Sequence, residues 1–428
     1  MKKLLAVAMS MMIALGTAII PMENSGYVNV INAEASQNST YKMAISRILS
    51  GVNKNWSDFE KILYIHDYLV TNCHYDLTFR HYKAYDAIVN NTAVCQGYSE
   101  AYKVLLNKLG IPCEIVTSYK LNHAWNAVKL NGKWYYVDVT WDDPLFNNLG
   151  RVYHRYFLKS SKYFHDDHNP ALIQNHNAND YQYTGKLKKS YFNSTRFDNK
   201  FNDNTTSFVY YNGYWYGKFG EEVNDEYNCS IKAYKATNNG LRYVKTIKKL
   251  TDKWNCWNRI ATYYGNYSGL SIMGKYLYYS TPKKIKVINL NTKKEKVIYT
   301  LKSNKQKYGY IYGFYIDKNN NLKYQISKEP NEKGKTKSFS VLNQVTMSAP
   351  KATASSDSIK LTWNKVGGAN GYIVYRNGKR IGKTTSVKFT ASGLKSRKKY
   401  KFSVKPYRMS GKKVIYGKMS KTLTKSTK

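Results

Sequence analysis

The sequence predicts a multidomain protein with an α+β domain at the front, an all-β repeat region in the middle and a β-sandwich at the end. The chain has 428 residues, enough for two to four ordinary domains. Helical periodicity fills residues 41–110 and gives way to short strand-like runs after Cys113. The 42 tyrosines favour strand-rich structure, because aromatic side chains fit a pleated, half-buried surface.

The first 35 residues have the pattern of an export signal. Lys2 and Lys3 form a positive start, residues 4–20 are uncharged and apolar, and residues 33–35 read Ala-Glu-Ala, a small-x-small cleavage site. An uncleaved membrane anchor is the alternative, but an apolar run of 17 residues lies at the lower limit for crossing a bilayer. We therefore expect a signal peptide over residues 1–35 and a secreted protein, associated with the cell wall or cell surface.

Residues 36–185 are predicted to form the α+β domain. Ser57 and Glu60 have the spacing of a capping box at the start of an amphipathic helix. A second helix is predicted to begin near Cys95. Strand-like runs follow, and the Asn-Gly dipeptide at 131–132 between two of them is typical of a β-hairpin.

Residues 186–348 are predicted to form an all-β repeat domain. Tyrosine-rich units with turn residues recur at residues 211–216, 273–279 and 310–316. Repeats spaced by roughly 35 to 60 residues are typical of a propeller-like or meandering array. Aromatic hairpins that pack on one another, or a sugar-binding module, are the alternatives.

Residues 349–428 are predicted to form a β-sandwich. Apolar residues alternate along the strand-like runs around Tyr372 and Tyr400, with turns between them. This stretch resembles a fibronectin type III domain, which implies that Trp363 is the core tryptophan and Tyr400 the late-strand tyrosine. Such modules act as spacers or binders, so we expect no chemistry in this domain.

The formal net charge of +41 is concentrated in the back half of the chain. Residues 36–185 contain 15 Lys and Arg against 13 Asp and Glu, whereas residues 186–348 contain 30 against 11 and residues 349–428 contain 21 against one. In an exported protein, residues 186–428 are therefore expected to bind anionic cell-wall polymer or a cell surface. Binding to nucleic acid would rest on charge alone, and we do not expect it.

Three residues of the front domain are the types that an acyl-transfer site needs. Cys95 lies at a predicted helix start, where the helix dipole and free amides favour the thiolate, and its own amide would serve an oxyanion. His123 opens a strand of the hairpin, and its ring would hold the proton and return it to the leaving group. Asp138 lies on the partner strand, where it would accept a hydrogen bond from the imidazole and fix its tautomer.

These residues stand in three stretches that, in this order, resemble the transglutaminase-like superfamily, which belongs with the papain-like cysteine enzymes. The stretches are Thr-Ala-Val-Cys-Gln-Gly-Tyr-Ser at 92–99, Asn-His-Ala-Trp-Asn at 122–126 and Trp-Tyr-Tyr-Val-Asp-Val-Thr-Trp-Asp-Asp-Pro at 134–144. The resemblance covers residues 61–144. It implies that Cys95 is the nucleophile, His123 the general acid/base and Asp138 the orienting carboxylate. Tyr75 is a candidate for the family's second oxyanion donor.

The resemblance implies a cysteine-dependent enzyme that forms a thioester between Cys95 and a peptide or glutamine amide. A peptidase or hydrolase is favoured over a cross-linking transglutaminase, because a compact domain leaves the thioester open to water. This chemistry requires no metal or organic cofactor. Cys73 and the histidines at 66–81 are interpreted as positions spread around a helix, and the histidines at 165–168 as part of a polar loop, so neither group is expected to bind a metal. The alternative is a non-catalytic cell-surface-binding protein on the same scaffold, with Cys95 as a small buried hydrophobe.

Overall fold

The structure is a computed structural model, and it divides into two compact units, Met1–Gly51 and Val52–Lys428. Helix α1, Ser25–Leu49, belongs to the first unit. Residues 25–428 are described, except for residues 120, 145–148, 168–180, 185, 224–225, 239, 257–260, 266, 302–308, 318, 330–333, 346, 368 and 411–412. Most of the expected signal peptide, residues 1–24, lies outside the described residues, and its expected cleavage site falls within α1.

Helix α2, Asp58–Asn72, begins with the capping box that the sequence predicts. The Ser57 hydroxyl accepts a hydrogen bond from the Glu60 amide, and the Glu60 carboxylate accepts one from the Ser57 amide at 2.9 Å. Among the described residues, the other helical segments of this unit are a π-helical turn, Asp86–Asn90, helix α3, Cys95–Lys108, helix α4, Ser161–Asp167, and two 3₁₀ turns, Lys189–Tyr191 and Leu342–Gln344. Across the described chain, no helix combines the length and hydrophobicity needed to span a bilayer.

Helix α3 begins at Cys95, as predicted, and is packed closely against the chain that precedes it. A β-carbon on Gly97, in its first turn, would lie 2.7 Å from the Ala93 side chain and 3.1 Å from the Lys83 carbonyl oxygen. Only glycine allows this approach without displacement of the neighbours. Two short parallel strands, β1, His74–Tyr75, and β2, Thr92–Ala93, fix the residues just before the helix.

A four-stranded antiparallel sheet packs against α3 and completes the predicted α+β domain. Its order is β5-β4-β3-β6, with bounds Cys113–Ser118 for β3, His123–Leu130 for β4, Lys133–Val137 for β5 and Tyr181–Tyr183 for β6. The predicted hairpin joins β4 to β5, and Asn131 and Gly132 have φ values of 50° and 78°, the left-handed conformation that such a tight turn requires. The side-chain amide of Asn126, at the centre of β4, donates a hydrogen bond to the backbone carbonyl oxygen of Ser99 in α3 at 2.9 Å.

The described part of residues 186–348 is rich in β-structure, and its strands form antiparallel meanders. The first sheet contains β7, Val209–Tyr211, β8, Tyr214–Val223, β9, Glu226–Thr237, and β10, Gly240–Leu250. A hairpin of β11, Lys253–Cys256, and β12, Ala261–Tyr264, follows it. The next sheet contains β13, Leu270–Met273, β14, Tyr276–Ser280, β15, Lys284–Asn289, and β16, Glu295–Thr300, and the last contains β17, Tyr310–Ile316, β18, Asn321–Ser327, and β19, Lys335–Ser340.

The sheet β13–β16 is covered on both faces. Along β14, Leu277 and Tyr279 pack with Ile231 of the first sheet, whereas Tyr278 packs with Ile311 and other residues of the last sheet. Successive side chains of a strand point to opposite faces, so one tyrosine-rich strand contributes to two separate cores. The tyrosines of the predicted repeat at residues 273–279 are therefore core residues that join neighbouring sheets.

The structure does not support the propeller-like prediction for residues 186–348. A propeller repeats four-stranded sheets around a central axis. Here the successive sheets have four, two, four and three strands, and the described strands form no closed sheet. The recurring motifs also differ in structure, because residues 211–216 span a turn between β7 and β8 whereas residues 310–316 form the single strand β17.

The final region is a two-sheet β-sandwich. One sheet contains β20, Lys351–Ala354, β21, Ile359–Thr362, and β24, Lys388–Ala391; the other contains β22, Gly371–Arg376, β23, Lys379–Thr384, β25, Lys399–Ser410, β26, Lys413–Tyr416, and β27, Leu423–Ser426. Trp363 and Tyr400 both lie in the shared core, as expected for a fibronectin type III-like domain. The Tyr400 hydroxyl accepts a hydrogen bond from the Lys395 amide at 3.0 Å.

Candidate active site

The three predicted site residues meet where helix α3 abuts the edge of the front sheet. Cys95 is the first residue of α3, His123 is the first residue of β4, and Asp138 follows directly after β5. Asp138 thus lies one residue beyond the strand on which the sequence places it. The pairing of Asn126 with Val137 in the hairpin brings Asp138 beside the start of β4, within reach of the His123 ring.

The Asp138 carboxylate holds the His123 ring. His123 Nε2 lies 2.6 Å from Asp138 Oδ2. The other oxygen, Oδ1, accepts hydrogen bonds from the backbone amides of Thr140 and Trp141, each at 3.0 Å. The carboxylate is therefore fixed by its own following turn, and it fixes the orientation of the ring in the same way.

Because Nε2 of His123 is paired with Asp138, the other ring nitrogen, Nδ1, is the one that can interact with the Cys95 thiol. The Cys95 thiol lies close enough to the His123 side chain and to the Ala124 amide for both to lower its pKa. The Trp141 ring stacks on the imidazole, with 5.1 Å between ring centroids and 27° between planes. These contacts place the Cys95 thiol, the His123 imidazole and the Asp138 carboxylate in the order that a nucleophile, a base and an orienting carboxylate would require.

The electrostatics of the site favour a thiolate–imidazolium pair. Burial raises the pKa of the Cys95 thiol, but the hydrogen bond and charge of His123 and the Ala124 amide outweigh it, so this pKa lies below its usual value. Burial lowers the pKa of His123, but the charge and hydrogen bonds of Asp138 and Cys95 raise it to about 10. A thiolate beside an imidazolium is the reactive form of a cysteine nucleophile.

The start of α3 supplies donors for negative charge. The residue before the helix is Val94, which gives it no side-chain cap. The first N–H groups of a helix lack intrahelical acceptors, and the helix dipole adds positive potential there. An oxyanion formed on a carbonyl carbon attacked by Cys95 would face these amides.

Tyr75, the candidate second oxyanion donor, lies next to the site. Strand pairing places it opposite Ala93, two residues before Cys95. Burial, and then the negative charges of Cys95 and Asp138, raise the pKa of the Tyr75 hydroxyl. A hydroxyl that stays protonated beside the nucleophile is suited to donate a hydrogen bond to an oxyanion.

A second group of histidines and aspartates, which sequence reasoning missed, lies under the site. His66 and Asp67 of α2 meet Asp142 and His154 in the interior, and all four are buried. One feature of the sequence pointed to this group: Asp142 is an acidic residue within the third motif stretch, directly after Trp141. A charged His-Asp pair among the apolar positions of α2 was the other indication.

Three residues of this group, His66, Asp67 and His154, have side chains of the kinds that bind metal ions. The ligand atoms of His66, Asp67 and His154 lie within 4.8 Å of one another. However, the nitrogens of both histidines lie only 2.9 and 2.8 Å from the same Asp67 oxygen. Two ligands of a tetrahedral zinc ion, each at about 2.1 Å from it, would be about 3.4 Å apart. The observed spacing is that of direct hydrogen bonds.

Comparison with known proteins agrees with the front-domain geometry. Residues 46–139 match the sequence model of the transglutaminase-like superfamily. The kyphoscoliosis peptidase of Mus musculus is 26% identical over 166 residues, which cover 33% of this chain and 25% of that protein. The chain thus spans about a quarter of the curated relatives it matches.

Two solved structures show weaker similarity. A putative cysteine protease from Cytophaga hutchinsonii is 26% identical over 24% of this chain and 37% of that structure, with a TM-score of 0.20. The sixth fibronectin type III domain of human fibronectin type III domain containing protein 3 is 16% identical over 20% of this chain and 85% of that domain, with a TM-score of 0.17. The front of the chain, on its sequence match, is a domain of the transglutaminase-like superfamily, whose members are usually cysteine enzymes.

Proposed function

We propose that the protein is a secreted, cysteine-dependent acyl-transfer enzyme that acts on peptide or glutamine amides. The observation that carries the proposal is the buried chain of contacts from Asp138 through His123 to Cys95, with 2.6 Å between the imidazole and the carboxylate. Structural roles for a lone buried cysteine or a His-Asp pair are common. The contacts among the three residues, together with the position of Cys95 at the start of a helix, favour catalysis.

The reaction follows from these positions. The Cys95 thiolate attacks the amide carbonyl carbon, and the negative oxygen is stabilised by the amides at the start of α3. His123 then donates a proton to the departing nitrogen, and a thioester remains on Cys95. In the second half, His123 takes a proton from the acceptor, which attacks the thioester and releases the thiolate.

Water is the proposed acceptor. Hydrolysis and amine transfer share every step up to the thioester, so the triad itself does not distinguish them. Water is present at roughly 55 M against millimolar amines, an advantage that a bound amine overcomes only through a large effective concentration. The opposing feature is the lysine-rich back half, which would itself provide amines for attachment to a surface.

The basic back half is proposed to hold the secreted enzyme on an anionic surface. Many lysines there lie over tyrosine rings, for example Lys235 and Lys245, at 5.5 and 5.8 Å from the Tyr214 ring centroid. These contacts hold the ammonium groups in place and leave their charge available to an external anion. An anionic cell-wall polymer fits this surface and the proposed export.

The test is incubation with a glutamine-containing protein and a labelled primary amine, with the Cys95→Ala variant as the control. Hydrolysis predicts new amino termini or released ammonia that depend on Cys95, with little label incorporated. Incorporation of the amine without cleavage would identify a cross-linking transglutaminase instead. Equal reactivity of Cys95 and the other cysteines toward an alkylating agent would favour the non-catalytic surface-binding protein.

A further inference from the structure

The buried group below the active site contains a histidine that bridges two carboxylates. His66 Nδ1 lies 2.9 Å from Asp67 Oδ1, and His66 Nε2 lies 3.1 Å from Asp142 Oδ2. An ionised carboxylate only accepts hydrogen bonds, so each ring nitrogen donates one and carries a proton. The bridge links helix α2 to the loop that follows the triad aspartate.

That loop has Asp138 at one end and Asp142 at the other. The Asp142 amide donates to the Asp138 carbonyl oxygen at 3.2 Å, which closes the loop into a turn. The Asp142 carboxylate accepts from His66 and also from the Tyr156 amide, at 3.1 and 3.2 Å. Any movement of Asp142 is therefore transmitted to the backbone of the residue that orients His123.

Further contacts anchor both sides of this connection. The neighbouring carboxylate, Asp143, accepts a hydrogen bond from the Tyr98 hydroxyl at 2.6 Å, and Tyr98 lies one turn after Cys95 in α3. On the other side, Asp67 accepts from His154 Nε2 at 2.8 Å and from the Phe208 amide at 2.5 Å. The loop is thus tied to helix α2 and to helix α3.

Burial of these charges is not the simplest route to a stable core. Removing charged groups from water costs several kcal/mol each, and well-packed apolar residues of similar volume would often be at least as stable. Hydrogen bonds between charged groups do, however, specify direction and distance more closely than apolar contacts. A buried ionic bridge at this place therefore indicates a requirement for geometry.

We propose that His66 is a positioning residue for the active site, whose contact with Asp142 holds the loop where the Asp138 carboxylate meets His123. The inference rests on the proposed function, because it assigns His66 to the support of the Cys95 nucleophile. His66 touches no reacting atom in this arrangement. It acts only through Asp142 and the turn that joins Asp142 to Asp138.

Two substitutions separate this role from a general contribution to stability. In His66→Gln the amide nitrogen replaces Nε2 and keeps a donor toward Asp142, whereas in His66→Asn it replaces Nδ1 and keeps a donor toward Asp67. Each variant loses one of the two hydrogen bonds and the positive charge. The two variants therefore lose the same number of hydrogen bonds and the same charge. They differ only in whether Asp142 or Asp67 keeps its hydrogen-bond donor.

The measurement is the rate of Cys95 alkylation by iodoacetamide as a function of pH, on full-length protein whose folding is checked by thermal unfolding. We expect the pH profile of alkylation in His66→Asn to shift upward by about one unit, which slows the reaction by roughly tenfold at pH values below the pKa of the thiol. His66→Gln is expected to lose about threefold or less. If His66→Asn does not fold, Asp142→Asn is measured in its place, and it is also expected to slow the alkylation of Cys95.

Three results would overturn the proposal. The first is wild-type alkylation in folded His66→Asn or Asp142→Asn, and the second is an equal loss in His66→Asn and His66→Gln. The third is one equivalent of a metal ion in the purified protein that disappears in both His66 variants. Failure of the proposed function gives a different result, since wild-type Cys95 would then react no faster than an ordinary thiol.

Discussion

The front and the back of the chain use charge in opposite ways. All eight histidines lie before residue 186, whereas residues 186–428 hold 51 Lys and Arg against 12 Asp and Glu. In the front domain the ionisable groups of the site are buried against one another, as in the 2.6 Å contact between His123 and Asp138. In the back, lysines lie over tyrosine rings, as in Lys383 at 4.5 Å from the Tyr407 ring centroid.

The difference separates two physical roles. A buried ion pair is costly in desolvation and short in range, so its value lies in the geometry and the protonation state that it imposes. Exposed cations keep their hydration, act over about a Debye length and lose strength as salt rises. The front should therefore respond to pH and to single substitutions, and the back to ionic strength and to the number of charges.

Loss of the Cys95 thiol is expected to have the largest effect. Cys95→Ala should reduce Cys95-dependent hydrolysis by at least about 10³-fold, because no other group can form the thioester. The matched control is Cys229→Ala, which removes a buried thiol from the all-β region. Comparable activity in the two variants would contradict the assignment of the nucleophile.

The pH profile of the reaction is the next largest effect. Activity requires the Cys95 thiolate and the His123 imidazolium together, so it should rise at a pH below the usual thiol pKa of 9.0 and fall as pH passes about 10. The profile is measured as kcat/KM against pH. In Asp138→Asn, loss of the carboxylate charge should move the upper limb to lower pH. An upper limb that stays near 10 in this variant would contradict the pairing.

Local motifs predicted most of the front domain, because each is decided by neighbouring residues. The Ser57–Glu60 capping box, the helix start at Cys95 and the Asn131-Gly132 hairpin all occur where the sequence indicates. The hairpin and the helix start bring Cys95, His123 and Asp138 together once they pack.

The features that sequence reasoning did not find depend on contacts between distant residues. His66 meets Asp142 across 76 positions, and Asp67 meets His154 across 87, so neither pair leaves a local pattern. The propeller-like prediction finds no support among the described strands for a related reason. Aromatic alternation marks strands, but the number of strands in each sheet depends on which neighbours pair.

Removal of exposed charges from strand β10 should weaken binding to an anionic surface. Arg242, Lys245 and Lys249 are exposed on this strand, and replacement of all three by Gln is expected to lower affinity for an anionic wall polymer by roughly tenfold at low salt. Retention on immobilised polymer across a salt gradient measures the effect. The shift should shrink as salt rises.

The front domain offers a control with the same loss of charge. Lys54, Lys108 and Lys133 are exposed there, and their joint replacement by Gln removes three charges from the front domain. This triple variant should bind nearly as well as the unaltered protein. Equal weakening by the two triple variants would show that net charge alone matters, and would remove the division between front and back.

The smallest expected effect is a pH-dependent contribution of His66 to stability. Burial lowers the pKa of His66, but hydrogen bonds and charge from Asp142 and Asp67 raise it from 6.5 to about 9. The other titratable groups near this bridge are His154, which bonds to Asp67, and Tyr102. The folded state therefore holds a proton more tightly than the unfolded chain. The stability gained from it is complete below pH 6.5 and declines until it is lost above about pH 9.

The total stability is a poor measure of this decline, because Lys218 acts in the opposite direction. Burial lowers the pKa of this lysine to about 7, so its effect on stability becomes more favourable as pH rises from 7. The difference in melting temperature between wild type and His66→Gln cancels the Lys218 contribution. That difference should be largest near pH 6 and should shrink by on the order of a few degrees by pH 9. A constant difference across this range would mean that His66 is not protonated in the fold, and would place the pH sensitivity of the front domain elsewhere.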